Sequence, residues 1–362
     1  MAEAEVPQEE SAADLCGLRL LVLTPSYFPR VGGVERHVRF VTRELVSRGV
    51  AVRIATPRWD TETPEAEIVD GVEVLRLSLD RRLGVKALAP LAEWADAVHT
   101  HDAYPFLKYY LPYRFRWPRT PVFVTFHGYE GYPIPLEAKI LRRLVLRLTR
   151  GSICVGAFIP KWYGFRCDLV THGGVDAPPE RPPIGDGAVF AARLEPDTGL
   201  RHYLEALRLL REQYGLSLRL DVYGDGSLRG EAEQFAASAG LNVVFHGSVP
   251  DVMPYLIRAR FAFVSGLLAM LEAMAAGSLV VATYDNPLKE DYLRLFPGAR
   301  YAVISASPLE TAAQLHRLLQ SPAKVESVVE EAFQYARAQT WARVADLYAC
   351  LYRSVMAWRK RR

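Results

Sequence analysis

Short apolar runs alternate with amphipathic stretches along most of the chain, beginning with LRLLVLTP at residues 18–25. A loop containing Gly32 and Gly33 follows. VERHVRFVTRELVSRG then carries Val34, Val38, Val41 and Leu45 at helical spacing, closed by Gly49. AVRIATP, VEVLRLS, ADAVHTHD and PVFVTFHG read as further strands. Short apolar strands alternating with helices predict a parallel sheet covered on both faces.

The alternation restarts after a proline-rich stretch, APPERPPIGDG at 177–187. GAVFAARL, GLRHYLEALRLLREQYG, LSLRLDVYGDG, LRGEAEQFAASAG, LNVVFHG, VMPYLIRAR and FAFVS follow as strand and helix in turn. From Thr311 onward the chain reads as helical, ending in the basic WRKRR. The expected fold is α/β, with two Rossmann-like doubly wound domains facing across a cleft at the carboxyl ends of their strands. The expected division is a disordered 1–14, an N-terminal domain 15–177, a linker 178–187 and a C-terminal domain 188–340. A C-terminal helix 341–362 completes it, with the option of packing back on the N-terminal domain.

Residues 261–284 form the most apolar stretch, with Glu272 as the single charge. A carboxylate at mid-bilayer costs a few kcal/mol, and Gly266 and Gly277 cut the run into pieces too short to span. It reads as strand, helix and strand, which leaves a carboxylate on a nearly all-apolar helix.

Composition adds limits. At 362 residues the chain exceeds the roughly 250–300 that one core supports. Half its residues are hydrophobic and 23% are charged, which excludes disorder and collagen-like architecture. Four cysteines without a C-x-x-C pair argue against a disulfide scaffold or a cysteine-held zinc, and fit a reducing compartment. Residues 1–14 lack the basic start and apolar core of a signal peptide, so a cytoplasmic location is expected.

Candidate chemistry lies just after the strands. Gly32 and Gly33 open a helix where backbone N–H groups can meet an anion. His127, with Gly128 after it, ends one strand; His101 and Asp102 end another. Each is placed to touch substrate or to be satisfied within the core. Arg193 precedes Gly199 and a helix, a placement suited to a diphosphate. Glu272 requires a donor from the protein or from ligand hydroxyls.

Together these segments resemble the retaining GT-B glycosyltransferases of family four. GGVERHV, preceded by PSYFP, resembles that family's glycine loop. DAVHTHD, TFHG, THGGVD, ARLEPDTGL, YGDGSLR and LEAMAAGSLVVAT follow as its landmarks in order, over residues 18–292. The resemblance implies transfer from a nucleotide-diphosphate sugar with retention and without a metal or other cofactor. It places Gly32 and Gly33 near the reacting phosphate or acceptor, and His127 on the transferred sugar. Arg193 would hold the diphosphate, Glu272 the ribose hydroxyls, and the leaving phosphate would take the acceptor's proton.

Two positions depart from the pattern. The family's lysine five residues after the arginine is Thr198 here, and its first glutamate is Val264 in a shortened loop. Arg201, one helical turn on, is the expected substitute for the missing cation. The departures suit a divergent donor site; the alternatives are a non-catalytic sugar- or nucleotide-binding relative, or a GT-B phosphorylase or epimerase.

Net charge is only +3, yet residues 104–167 carry eleven Lys and Arg against Glu130 and Glu137. KYYLPYRFRWPR interleaves rings with cations, and EAKILRRLVLRLTR sets Ile140, Leu144 and Leu148 beside Arg143, Arg147 and Arg150. Such a face suits an anionic membrane surface, whereas no nucleic-acid-binding motif accompanies it. The expectation is a glycan or lipid-linked acceptor and peripheral attachment to the inner face of the cell membrane.

Overall fold

The computed structural model describes residues 15–360 except residue 31, with side chains as far as residue 355. The stretch 1–14, expected to be disordered, and the side chains of the WRKRR tail lie outside the described residues. Two compact units are present: one takes the described residues up to 171 and those from 341 onward, the other 172–340.

The first unit is built on an eight-stranded sheet. Its strands are β1 (Arg19–Leu23), β2 (Ala51–Pro57), β3 (Ala66–Val69), β4 (Val72–Leu77), β5 (Ala97–His101), β6 (Val122–Phe126), β7 (Gly151–Val155) and β8 (Leu169–Thr171). Their order is β3-β4-β2-β1-β5-β6-β7-β8, parallel except for the β3–β4 hairpin. β5 and β6 are buried at every position, as expected of strands covered on both faces. The helix Gly33–Ser47 buries His37, Val38, Val41 and Leu45, so its inward stripe includes a histidine that the apolar pattern skipped. The helix Trp341–Lys360 belongs to this unit and buries Tyr348 and Tyr352.

The second unit holds six parallel strands: β9 (Ala188–Ala191), β10 (Leu220–Tyr223), β11 (Val243–Gly247), β12 (Phe261–Phe263), β13 (Leu279–Thr283) and β14 (Val303–Ser305). Their order, β11-β10-β9-β12-β13-β14, reverses between β9 and β12, the doubly wound plan. Alternate residues serve opposite faces. Val189, Ala262, Val280 and Ala282 pack with the helix Leu267–Ala275, while Phe190, Phe263 and Val281 pack with the helix Leu200–Tyr214. The apolar run 261–284 is thus β12, a buried helix and β13. No helix among the described residues is long and apolar enough to cross a membrane.

Two expectations need correction. The proline-rich stretch is not a tether: Asp186 N–H donates to Arg258 O at 3.0 Å, and Arg181 pairs with Glu326 and Glu330. It runs along the second unit, and the chain passes between units at 171–172 and 340–341. Cys154, in β7, and Cys167, in the loop that leads into β8, form a disulfide at a Cα separation of 6.3 Å. That pair removes the argument from the lack of a C-x-x-C pair to a reducing compartment. Also missed were β7, which is as long as β1, and the shorter β8, β14 and edge strand β3.

Candidate functional site

In open α/β sheets, ligands meet the loops where strand order reverses. In the first unit those loops follow β1 and β5. Gly32 is the extended cap of the helix Gly33–Ser47. A methyl group at Gly33 would meet nothing within 4 Å, so the backbone of the first turn is open. Asp102, just past β5, takes the left-handed φ of 63° and accepts the His127 N–H at 2.9 Å.

His127 and His101 share a hydrogen bond of 2.8 Å between Nε2 and Nδ1. They belong to a larger array, since His37 lies edge-on to His127 with centroids 4.9 Å apart, and His99 neighbours His101. His99 meets Tyr352 OH through Nδ1 at 2.7 Å and Thr125 Oγ1 through Nε2 at 2.8 Å. Tyr348 OH joins Thr125 Oγ1 at 2.8 Å to His37 Nε2 at 2.9 Å. Burial pushes the pKa of His37 and of His99 down to about 3, and those of His101 and His127 well below 6.5. Burial pushes Asp102 the other way, to about 6, against the pull of Arg142 and the His127 N–H. All four imidazoles are therefore neutral at pH 7, and each hydrogen bond has a neutral donor.

Arg142, assigned by sequence to the basic face, is buried instead. Its guanidinium donates to Glu130 at 2.9 Å, to the carbonyls of His127 and Gly128, and covers the Tyr163 ring at 4.0 Å. It fixes the loop that carries His127. Its sequence neighbours gave it no distinguishing mark, whereas His99 was findable with Thr100 and His101 as a run of polar residues in a strand of the parallel sheet.

In the second unit the loops after β9, β12 and β13 converge. Gly199 has φ +88°, and a methyl there would come within 2.5 Å of Thr283 Cγ2. Only glycine allows this approach. Ser265 Oγ meets Tyr203 OH at 2.7 Å and accepts the Thr283 N–H at 3.0 Å. The YGDG motif has a similar steric reason, because a methyl at Gly224 would lie 1.9 Å from Ala192 O.

Arg193 stands on this rim, 68% exposed, with Asp197 at 3.2 Å. Thr198 spends its hydroxyl on Glu195 O at 2.7 Å. Arg201 does not turn to the loop: it grips Glu231 through two bonds of 2.6 and 2.5 Å. The expected substitute cation is thus held on the neighbouring helix Arg229–Ser238. Val264 is buried among core residues, so its position contributes packing. Glu272 is buried on the helix Leu267–Ala275, as its apolar neighbours indicated.

The amphipathic face of the sequence divides in the structure. Tyr109, Tyr110 and Tyr113 are core residues, whereas Phe115 is 68% exposed. On the helix Leu136–Leu148, Leu136, Ile140 and Leu144 form an exposed stripe beside the exposed Arg143 and Arg147.

Residues 31–161 match the model of glycosyltransferase family 4, and residues 185–321 that of the glycosyl transferases group 1. Solved structures with the same fold include a glycosyltransferase from Rickettsia africae (15% identity, TM-score 0.73, covering 94% of this chain and 99% of that one). Sucrose-phosphate synthase from Thermosynechococcus elongatus is similar at 17% identity and TM-score 0.71, covering 94% and 99%. Anabaena HepE, solved in complex with UDP, gives 16% and 0.72, covering 93% and 100%. No curated protein sequence matches the chain significantly. With its two doubly wound units on the GT-B plan, the chain belongs to the group 1 glycosyltransferases, with a family 4 amino-terminal part.

Proposed function

We propose that the protein moves a sugar from a nucleoside-diphosphate sugar to an acceptor hydroxyl, with retention and without a metal. The observation that carries this reading is the convergence of the 193–199 loop, Ser265 and Thr283 at the switch point of the second sheet. Anabaena HepE has been solved with UDP-glucose, and an Escherichia coli trehalose-6-phosphate neighbour with UDP-2-fluoro glucose, which supports that donor class.

Each residue then has a role set by its chemistry. Arg193 exchanges its weak, exposed pairing with Asp197 for the diphosphate and stabilises charge on the leaving group. Glu272 accepts hydrogen bonds from ribose hydroxyls. In the first unit, Gly33 offers open backbone for the reacting phosphate or acceptor, while the Glu35 carboxylate must swing away from Gly32 for that residue to share the contact. His127, with Nε2 bound to His101, keeps Nδ1 for a hydroxyl of the transferred sugar, while Asp102 holds its backbone. The bond from anomeric carbon to phosphate oxygen breaks, the bond to the acceptor oxygen forms on the same face, and the leaving phosphate takes the acceptor proton.

The acceptor is a lipid-linked or envelope glycan, reached from an anionic membrane surface. Support comes from the Leu136, Ile140 and Leu144 stripe with its flanking cations. Arg114 donates to Leu148 O at 2.8 Å, which brings Phe115 and Arg116 beside the end of that helix.

Two experiments test the reading. Slow release of sugar from at least one common nucleotide sugar is expected, and its loss in Glu272→Ala. Absence of turnover with every common donor would favour a non-catalytic relative, and phosphate-dependent cleavage a phosphorylase. Flotation with phosphatidylglycerol vesicles at low salt is expected, with loss in Leu136→Glu/Ile140→Glu; unchanged flotation of that variant removes the stripe from the surface contact.

A further inference from the structure

Lys289 lies in the first turn of the helix Pro287–Arg294, directly after β13. Its Nζ sits 4.6 Å from the centroid of Tyr292, whose hydroxyl accepts the Leu267 N–H at 2.9 Å at the start of the helix that carries Glu272. Asn286 caps its backbone N–H at 2.9 Å, so the element that presents it is anchored at both ends. The side chain is half-buried, and no carboxylate among the described residues forms an ion pair with it. Asp197 and Asp285 are nevertheless within its electrostatic reach, and Asp197 is the residue that Arg193 contacts. Burial lowers its pKa to about 8, against the opposing pull of those carboxylates, so the ammonium remains mostly charged at pH 7.

The setting is therefore two cations, Arg193 and Lys289, from loops after β9 and β13, with the acidic Asp197 near both. The close approach of Gly199 to Thr283 holds those loops against one another. Two cations, one paired only through the exposed Asp197 contact and the other in no ion pair among the described residues, suit a doubly charged anion. We propose that Lys289 is a donor-binding residue that supplies the second positive charge to the diphosphate, in place of the residue at 198. This rests on the donor reading above and assigns the site's charge to a different strand loop from the one carrying Thr198. Tyr292 then acts as the positioning residue, since its ring supports the ammonium while its hydroxyl fixes the start of the helix Leu267–Ala275.

The test is calorimetric titration of the full chain with UDP and with GDP. Lys289→Gln is expected to weaken whichever of the two binds by at least tenfold. Thr198→Lys, added to Lys289→Gln, is expected to recover most of that loss, because it returns a cation to the facing loop without restoring contact with Tyr292. A purely structural lysine would not respond in that way, and equal melting temperatures across the variants check folding. An affinity within twofold of wild type in Lys289→Gln overturns the proposal and leaves the donor reading standing. A loss that Thr198→Lys does not recover also overturns it. Failure of the wild type to bind either nucleotide overturns both.

Discussion

The hydroxyl of Tyr348 lies 2.9 Å from Nε2 of His37, joining residues 311 positions apart in the chain. The same hydroxyl meets Thr125 Oγ1 at 2.8 Å, so one side chain of the last helix ties the glycine-loop helix to the strand that ends before His127. Replacing Tyr348 with Phe leaves both buried partners short of a hydrogen bond. The expected cost is about 1–3 kcal/mol, the range for an unsatisfied buried polar group. Urea unfolding followed by circular dichroism measures it, and an unmoved midpoint would show that water or a rotamer change makes good the loss.

Acid should weaken the first unit. His37, His99, His101 and His127 all have folded pKa values pushed down by burial. In the unfolded chain they titrate near 6.5. Above that pH both states are neutral and stability is full. As pH falls below 6.5 the unfolded chain binds protons that the native imidazoles refuse, so stability declines. Asp102 acts in the opposite sense, because its folded value of about 6 makes the native state the better proton binder below that pH. Four imidazoles outweigh the one carboxylate, so the net effect is a loss of stability as pH falls through 6.5. Chemical unfolding at pH 7.5, 6.5 and 5.5 checks the slope, and a flat profile would mean the imidazoles are accessible to protons.

Gly199→Ala should be costly at a place where the alternative control is mild. The new methyl would need a left-handed backbone, φ +88°, and would press on Thr283 Cγ2 at 2.5 Å. Strain and overpacking together amount to about 2–4 kcal/mol. Gly215 also has positive φ, at +66°, but open space around it, so Gly215→Ala should cost only about 1 kcal/mol. Equal melting-temperature shifts for the two variants would remove the contact with Thr283 from the explanation.

Arg193→Ala is expected to weaken nucleoside diphosphate binding by about 1.5–3 kcal/mol, the scale of a charged hydrogen bond. Arg201→Ala should leave affinity unchanged, because that guanidinium is engaged by both oxygens of Glu231. Calorimetry with UDP and GDP on both variants decides the matter. A loss in Arg201→Ala instead would mean that the Glu231 pairing opens for the ligand.

Local pattern made much of the fold legible. Runs such as VFVTF are apolar because both faces of a parallel strand are covered, and the Val34, Val38, Val41 stripe marks an inward helix face. Glu272 could be singled out for the same reason, since a lone carboxylate in an apolar helix is conspicuous without knowing its neighbours. Short edge elements such as β3 and β8 were missed because three or four residues carry too little periodicity.

What sequence by itself determined was therefore the order of strands and helices, the glycines at tight turns and the polar residues just past strand ends. Tertiary structure decided which side chains meet. It buried Arg142 under the His127 loop, gave Arg201 to Glu231 and set Gly199 against Thr283. The physical reason is that burial of a face is encoded in a repeat of two or 3.6 residues. Partnership between charges depends on strand order and loop approach, which join positions dozens to hundreds of residues apart.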